Sequence, residues 1–339
     1  MWYGKHWAAP LLAPVGHLYC ALAAARREAY RKGWLKATRL PVPVIVVGNI
    51  SVGGTGKTPL VLYLVAYLRQ RGLRPGVVSR GYGGQSRREP RDVGPDSDPY
   101  AVGDEPVLIA RRTGAPVVVA PDRVAAGRHL LARHDCDVLV ADDGLQHYAL
   151  ARDLEIAVVD VARGQGRGRC LPAGPLREPP TRLASVDLVI NREPGGREPG
   201  MRLHGGEWIN LADPSRRQAP KTWQGRAAHV VAGIGCPERF FAAVQALGCR
   251  VHGHAFPDHH RFEAADLAFG DDLPVLMTEK DAVKCRRFAR ADWWYRPLDA
   301  ELDAATLARL ETLLINRGIL SARAGAARRG APGAQRDPG

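Results

Sequence analysis

Residues 44–60 read Val-Ile-Val-Val-Gly-Asn-Ile-Ser-Val-Gly-Gly-Thr-Gly-Lys-Thr-Pro-Leu, and no other stretch restricts the fold as tightly. The β-branched run at 44–47 suits a short, fully buried strand. Glycines at 48, 53, 54 and 56 then turn the chain, and Gly56-Lys57-Thr58 opens a stretch whose apolar residues at 60, 61, 64, 65 and 68 repeat with a helical period. Strand, glycine-rich turn and helix start, in that order, make a phosphate-binding loop. Backbone N–H groups around Gly53, Gly54 and Gly56 can converge on phosphate oxygens at the positive end of the helix. The candidate nucleotide-binding set is Ser51, Val52, Gly53, Gly54, Thr55, Gly56, Lys57 and Thr58. Within it Lys57 reaches toward the β- and γ-phosphates and Thr58 offers a hydroxyl to Mg²⁺. Ser51 stands where the general G-x-x-x-x-G-K-[ST] spacing has its first glycine.

At 339 residues the chain has room for two cores. An apolar content of 45% is ordinary for a globular α/β protein. Forty-eight basic against 35 acidic residues leave a net charge of +13, a field that favours anionic partners: nucleotide, nucleic acid or an anionic membrane. The six cysteines (20, 136, 170, 236, 249 and 285) contain no C-x-x-C pair and predict neither a zinc site nor a disulfide framework, so a reducing setting is expected. Residues 7–25 come closest to a spanning helix, but Pro10, Pro14, Gly16 and His17 interrupt them. Ala23-Ala24-Ala25 resembles a signal-peptide cleavage site, yet cleavage there would export a protein built around a triphosphate loop.

Short apolar runs recur at 76–79, 116–120, 137–141, 154–160 and 187–191, with helix-compatible stretches such as 123–133 between them. That alternation predicts an α/β fold: a P-loop NTPase-type parallel sheet flanked by helices, with a second, smaller α/β domain. Ligands gather at the carboxyl ends of such strands, which brings residues 51–58, 79–84, 121–123 and 142–147 to one rim. The expected divisions are a membrane-associating segment at 1–40, the kinase-like core at 41–222 and the smaller unit at 223–320, whose last helix could return to the core. A tail at 321–339 is expected to be disordered. Polar residues 192–225 read as the connector. In 1–40, Trp2, Tyr3, Trp7 and several leucines precede six basic residues, seven with Lys5, set against the single acid Glu28. This composition suits either an interfacial segment on an anionic bilayer or a helix packed on the protein's own core.

Asp137-Val-Leu-Val-Ala-Asp142-Asp143 is an apolar strand ending in two carboxylates, the form expected of a Mg²⁺-holding element downstream of a phosphate loop. In an extended strand the two would face opposite sides and differ in role. The N-K-x-D signature of GTPases is absent from both candidate positions, Asn191-Arg192-Glu193-Pro194 and Thr278-Glu279-Lys280-Asp281. Val52 stands where deviant-loop dimerising ATPases carry a second lysine. A small-molecule kinase needs an acceptor site with its own base and anion clamps, and this chain offers candidates for both.

Several blocks resemble the tetraacyldisaccharide 4′-kinase (lipid A 4′-kinase) family, in family order over about residues 40–285. They are the loop at 48–59, Ser79-Arg80-Gly81-Tyr82-Gly83-Gly84, Val102-Gly103-Asp104-Glu105-Pro106, Pro121-Asp122-Arg123 and Asp142-Asp143-Gly144-Leu145-Gln146-His147. Residues 171–178, 256–260 (Phe-Pro-Asp-His-His) and 278–284 complete the set. Ser51 also agrees with the family's loop. The resemblance implies ATP-dependent phosphorylation of the 4′-hydroxyl of a tetraacylated glucosamine disaccharide 1-phosphate, giving a lipid IV-A type product. It also implies Mg²⁺ and a place on the cytoplasmic face of the inner membrane, with no obligate protein partner evident.

By that resemblance Asp104 accepts the sugar hydroxyl proton, His259 (or its neighbour His260) orients or relays it, and Asp142 lies near the reacting phosphoryl group alongside Lys57. Thr58, Asp143, Glu105 and Glu178 are the candidate metal shell, in no fixed order. Arg80, Tyr82, Arg123, Gln146 and Arg177 are expected to face the acceptor, where guanidinium groups suit phosphate and sugar oxygens. Residues 278–284 are either structural or meet the nucleotide. With Asp104 and His259 in different units, hinge closure on ATP binding is expected. The competing classes are a P-loop kinase or ligase acting on a soluble anionic metabolite and a non-catalytic nucleotide switch. A nucleic-acid binder is disfavoured, because the basic residues are not interleaved with an aromatic strand platform.

Overall fold

The apolar run at 44–47 forms strand β1 (Val44–Gly48), buried along its whole length because strands flank it on both sides and helices cover both faces. The structure, a computed structural model, describes residues 8–85, 89–193 and 200–321. Trp2, Tyr3 and Trp7, and the expected tail beyond Ser321, lie outside the described residues. The chain continues through β2 (Pro75–Ser79), β3 (Arg91–Val93), β4 (Val117–Val119), β5 (Val138–Asp142), β6 (Leu154–Asp160), β7 (Leu188–Arg192) and β8 (Gly200–Gly205). It then builds a second sheet from β9 (Trp208–Asn210), β10 (Arg217–Gln218), β11 (Ala227–Ala232), β12 (Arg250–Ala255), β13 (Val275–Thr278) and β14 (Trp293–Arg296), and returns to the first sheet with β15 (Leu298–Leu302).

The first sheet has nine strands in the order β15-β8-β7-β6-β1-β5-β2-β4-β3, parallel except for the antiparallel pairs β8–β15 and β3–β4 at its edges. One face is covered by the helices Lys57–Gln70, Asp104–Thr113 and Ala304–Asn316, and the other by Arg123–Arg133. The second sheet runs β10-β9-β14-β13-β11-β12, with β9 and β10 antiparallel. Its interior is aromatic: Trp208, Trp223 and Trp294 share a buried cluster with Val230 and Leu276.

Residues 192–225 are therefore not a plain connector. They include the end of β7 and carry β8 of the first sheet and β9 and β10 of the second, so the chain crosses between sheets at 205–208 rather than near 223. The short strands at 208–210 and 217–218 are too brief to show a period among so many Gly, Pro and Arg residues. Helix Asp104–Thr113 has no counterpart in the periodicity reading. Its apolar face at 106–110 is short and follows directly on the glycine-bearing Val102-Gly103. Cys20 and Cys170, 150 residues apart in sequence, are joined in a disulfide, against the expectation of unpaired cysteines; such a pairing has no signature in sequence spacing.

Register places the site. Val47 of β1 is level with Asp142 of β5, and Val78 of β2 with Ala141, so the loop after β1, the end of β5 and Ser79 share one rim.

Candidate active site

Helix Lys57–Gln70 begins on Gly56, held in the left-handed region (φ 95°), which only glycine adopts at little cost. No side chain caps its first turn and no acid occupies it, leaving its N–H groups and dipole for an anion. The loop before it is braced from outside. Val52 N–H donates to the Pro175 carbonyl (2.8 Å) and Arg177 N–H to the Ile50 carbonyl (2.7 Å). Buried Asn49 donates to Thr55 Oγ1 (3.0 Å), and Gln146 donates to the Asn49 carbonyl (3.0 Å).

At the end of β5 the two adjacent aspartates have opposite electrostatics. Asp142 is fully buried; Ser79 Oγ donates to its Oδ2 (3.1 Å) and its Oδ1 has no hydrogen-bond partner. Burial, with Glu105 and Asp143 nearby, pushes its carboxyl up to about 7. Asp143 takes φ 49° just past the end of β5, so strand alternation does not set its direction relative to Asp142. Burial opposes its charge too, but Lys57 (3.6 Å), Arg177 (2.8 Å to both oxygens) and Arg123 outweigh it and hold the carboxyl at about 2.

An under-compensated carboxylate oxygen next to an ionised aspartate, with the Thr58 hydroxyl in the first turn of the loop helix on the same rim, is the donor chemistry a hard divalent cation takes, so the residues present fit Mg²⁺. Glu178 does not join them. It is 2% exposed, and its carboxylate accepts from Gln146 (2.9 Å) and Tyr148 and lies 3.8 Å from Arg182. Glu105 is paired with Lys280 (3.1 Å).

A second cluster straddles the two units. Buried Asp104 opens helix Asp104–Thr113, and His259 reaches it from the loop after β12, its Nδ1 3.1 Å from both Asp104 oxygens. Burial favours the neutral form of each. Nevertheless, His259, Lys280 and Lys284 hold the Asp104 carboxyl below its ordinary range, and Asp104 draws the His259 imidazole above its own. His259 sits at φ 60° against the glycine loop after β2: a Cβ on Gly83 would lie 2.9 Å from its Nδ1. Tyr82, 64% exposed, meets its ring edge-on at 4.9 Å. His260 instead lies against Phe256 and Phe262 and 3.1 Å from Asp266, so of the two histidines it is His259 that faces Asp104. The two units are already in contact here, whereas the sequence suggests that Asp104 and His259 meet only after closure.

The expected acceptor-facing residues divide. Arg80 and Tyr82 are exposed on the rim. Arg123 is buried, donating to the carbonyls of Pro121 (2.9 Å) and Asp143 (3.4 Å), and burial lowers its guanidinium to about 10. Arg177 holds Asp143, and Gln146 braces the phosphate loop, so these two contact the protein's own site. His147 accepts from the Arg123 N–H (3.2 Å); burial and Arg123 push it down to about 4, fixing it as a neutral acceptor. Neither Ser79 nor Asn49 stands out in the sequence as a site residue, and Lys280, expected within 278–284 to be structural or to meet the nucleotide, instead meets Glu105 and His259.

The family described as "LpxK: Tetraacyldisaccharide-1-P 4'-kinase" matches residues 8–315. The tetraacyldisaccharide 4′-kinase of Alkalilimnicola ehrlichii is 55% identical over 317 residues, covering 91% of this chain and 93% of that one. That of Nitrosococcus oceani is 52% identical over 314 residues, covering 92% and 93%. Among solved structures, LpxK from Aquifex aeolicus in complex with ATP superposes with a TM-score of 0.76 at 29% identity, covering 91% of this chain and 99% of that one.

Proposed function

The chain belongs to the tetraacyldisaccharide-1-phosphate 4′-kinase family, and from that premise we propose how its own residues carry out the ATP-dependent transfer to the lipid A precursor's 4′-hydroxyl. The triphosphate lies over residues 51–58, its negative charge met by the loop amides, the helix dipole and Lys57. Thr58, Asp142 and Asp143 would hold Mg²⁺, which when bound neutralises charge on the β- and γ-phosphate oxygens. Ionised Asp104 accepts the 4′-hydroxyl proton while His259, donating from Nδ1, holds that carboxylate in place, and Tyr82 and Arg80 on the rim meet the sugar and its 1-phosphate. The contact that carries this reading is the 3.1 Å approach of His259 Nδ1 to both Asp104 oxygens. Phosphoryl transfer to the lipid disaccharide, measured with labelled ATP, tests it. Label on the lipid alcohol supports the kinase, whereas hydrolysis indifferent to lipid would favour a nucleotide switch.

The acceptor is a lipid, and we infer that helix Ala13–Arg31 lies on the anionic cytoplasmic face of the inner membrane. Leu11, Val15, Leu18 and Leu22, spaced by four, three and four residues, are each at least 53% exposed. The opposite side is docked: Gly16 abuts Ala173 and the Cys170 carbonyl, and Cys20 packs near Ile50 and Leu176. Arg26, Arg27, Arg31, Lys32 and Lys36 follow the stripe, with Trp34 exposed among them. Among the described residues no helix is long and apolar enough to cross a membrane. Val15, Leu18 and Leu22 changed together to Ser should release the protein from phosphatidylglycerol-containing vesicles; full retention would move the contact elsewhere.

A further inference from the structure

We propose that Lys280 is a positioning residue for phosphoryl transfer, orienting the His259 ring toward Asp104 across the junction of the two units. Its Nζ lies 3.1 Å from Glu105 Oε1, 3.4 Å from Asp258 Oδ1 and 3.4 Å from His259 Nε2, with Asp104 Oδ2 at 4.0 Å. An ammonium group has three donors and no acceptor, so these three neighbours take one N–H each. A donor at Nε2 leaves the ring proton on Nδ1, where it points at Asp104. Asp258 Oδ1 lies 3.7 Å from the same Nε2. Without the lysine, Asp258 would draw the ring proton to Nε2, and Nδ1 could then no longer donate to Asp104.

The fold fixes Lys280 in this place. It occupies the first turn of helix Glu279–Cys285, which Thr278 caps by accepting from the Asp281 N–H. That helix packs on Asp104–Thr113, and flanking ion pairs set their alignment: Glu279 with Arg112 (2.8 Å) and Lys284 with Asp104 (3.8 Å). Ligand atoms of Asp104, Glu105 and His259 lie within 4.8 Å of one another, a grouping a metal ion could fill. The Lys280 ammonium already supplies positive charge to it from the other unit. Lys280 is thus both the charge that lets these acceptors share one pocket and a link that registers the second unit on the first.

The inference rests on the Asp104–His259 reading, so its test is a double-mutant cycle of Lys280→Met and His259→Ala, with transfer to lipid measured at saturating ATP. Lys280→Met should lower kcat about 30-fold in the native background but under about 3-fold when His259 is already Ala, with KM for ATP within about 2-fold of native. In Lys280→Cys, aminoethylation rebuilds a lysine-like amine and should recover most of the rate, with the native protein treated in parallel. The ¹⁵N shifts of the His259 ring should report an Nδ1–H tautomer in the native protein and its loss in Lys280→Met. Should Lys280→Met fail to fold, Lys280→Cys before and after aminoethylation carries the same comparison. A native kcat for Lys280→Met, equal losses with and without His259, or no recovery on aminoethylation would overturn the proposal. A native rate for His259→Ala would instead remove the dyad reading beneath it.

Discussion

The site has two acidic clusters built on opposite principles. Asp142 and Asp143, at the end of β5 in one unit, leave a buried carboxylate oxygen without a partner and a carboxyl pushed up to about 7. Asp104 and Glu105, at the start of a helix, are met from the other unit by His259, Lys280 and Lys284. In the first cluster Lys57 and Arg177 answer Asp143 and leave Asp142 Oδ1 without a partner, an arrangement suited to a cation that arrives with nucleotide. The second has its cations built in, but from a separate sheet, so its geometry depends on how the units dock. Charge compensation thus distinguishes the two, although both are pairs of adjacent acids, and it matches the cation-binding and proton-accepting roles proposed for them.

The largest expected effect lies on the first cluster's side. Lys57→Ala should reduce turnover by a factor of about 10³ or more and weaken ATP binding with it, because Lys57 pairs with Asp143 and, in the proposed site, would meet the phosphates. Isothermal titration and transfer rates would check both. Next, Asp142→Asn should cost about 10² in turnover yet stabilise the nucleotide-free protein at pH 8. The sign follows from the raised carboxyl. Folded Asp142 binds its proton more tightly than unfolded Asp142, so native stability is lost as pH rises from the ordinary value of 3.8 through about 7. The thermal midpoint of Asp142→Asn should exceed native at pH 8, and the gap should narrow toward pH 5.

On the second cluster, His259 must be neutral for its Nε2 to accept from Lys280, and Asp104 raises its affinity for a proton. The acid limb of kcat/KM should therefore fall above the ordinary His value of 6.5 and flatten in His259→Asn. The smallest effect belongs to a residue outside both clusters. Glu178→Gln should leave the Mg²⁺ concentration for half-maximal rate unchanged, because Glu178 is spent on Gln146, Tyr148 and Arg182. A large shift would return it to the metal shell.

Legibility in sequence follows the same division. The phosphate loop, β1, β5, β6 and helix Arg123–Arg133 are local: period, glycine placement and strand-end carboxylates announce them within a dozen residues. The family resemblance supplied Asp104 and His259, but neither their contact nor the choice of His259 over His260 is visible in the chain, since 155 residues separate the pair. Glu178, Gln146 and Arg177 look like ligand-facing polar residues because sequence shows side-chain chemistry and not what is already bonded to it. The strands at 200–218 were hidden for a related reason: they are edge and crossover pieces, buried or exposed according to neighbours far along the chain.

In the proposed mechanism a proton acceptor assembled from two units serves a phosphate loop housed in one. Single-turnover transfer from ATP to the lipid disaccharide by Asp104→Asn, alongside its ATP dissociation constant, tests this most directly. The account predicts a rate at least about 10² below native with nucleotide affinity within about 2-fold. A native transfer rate, or a loss explained entirely by weaker ATP binding, would contradict it.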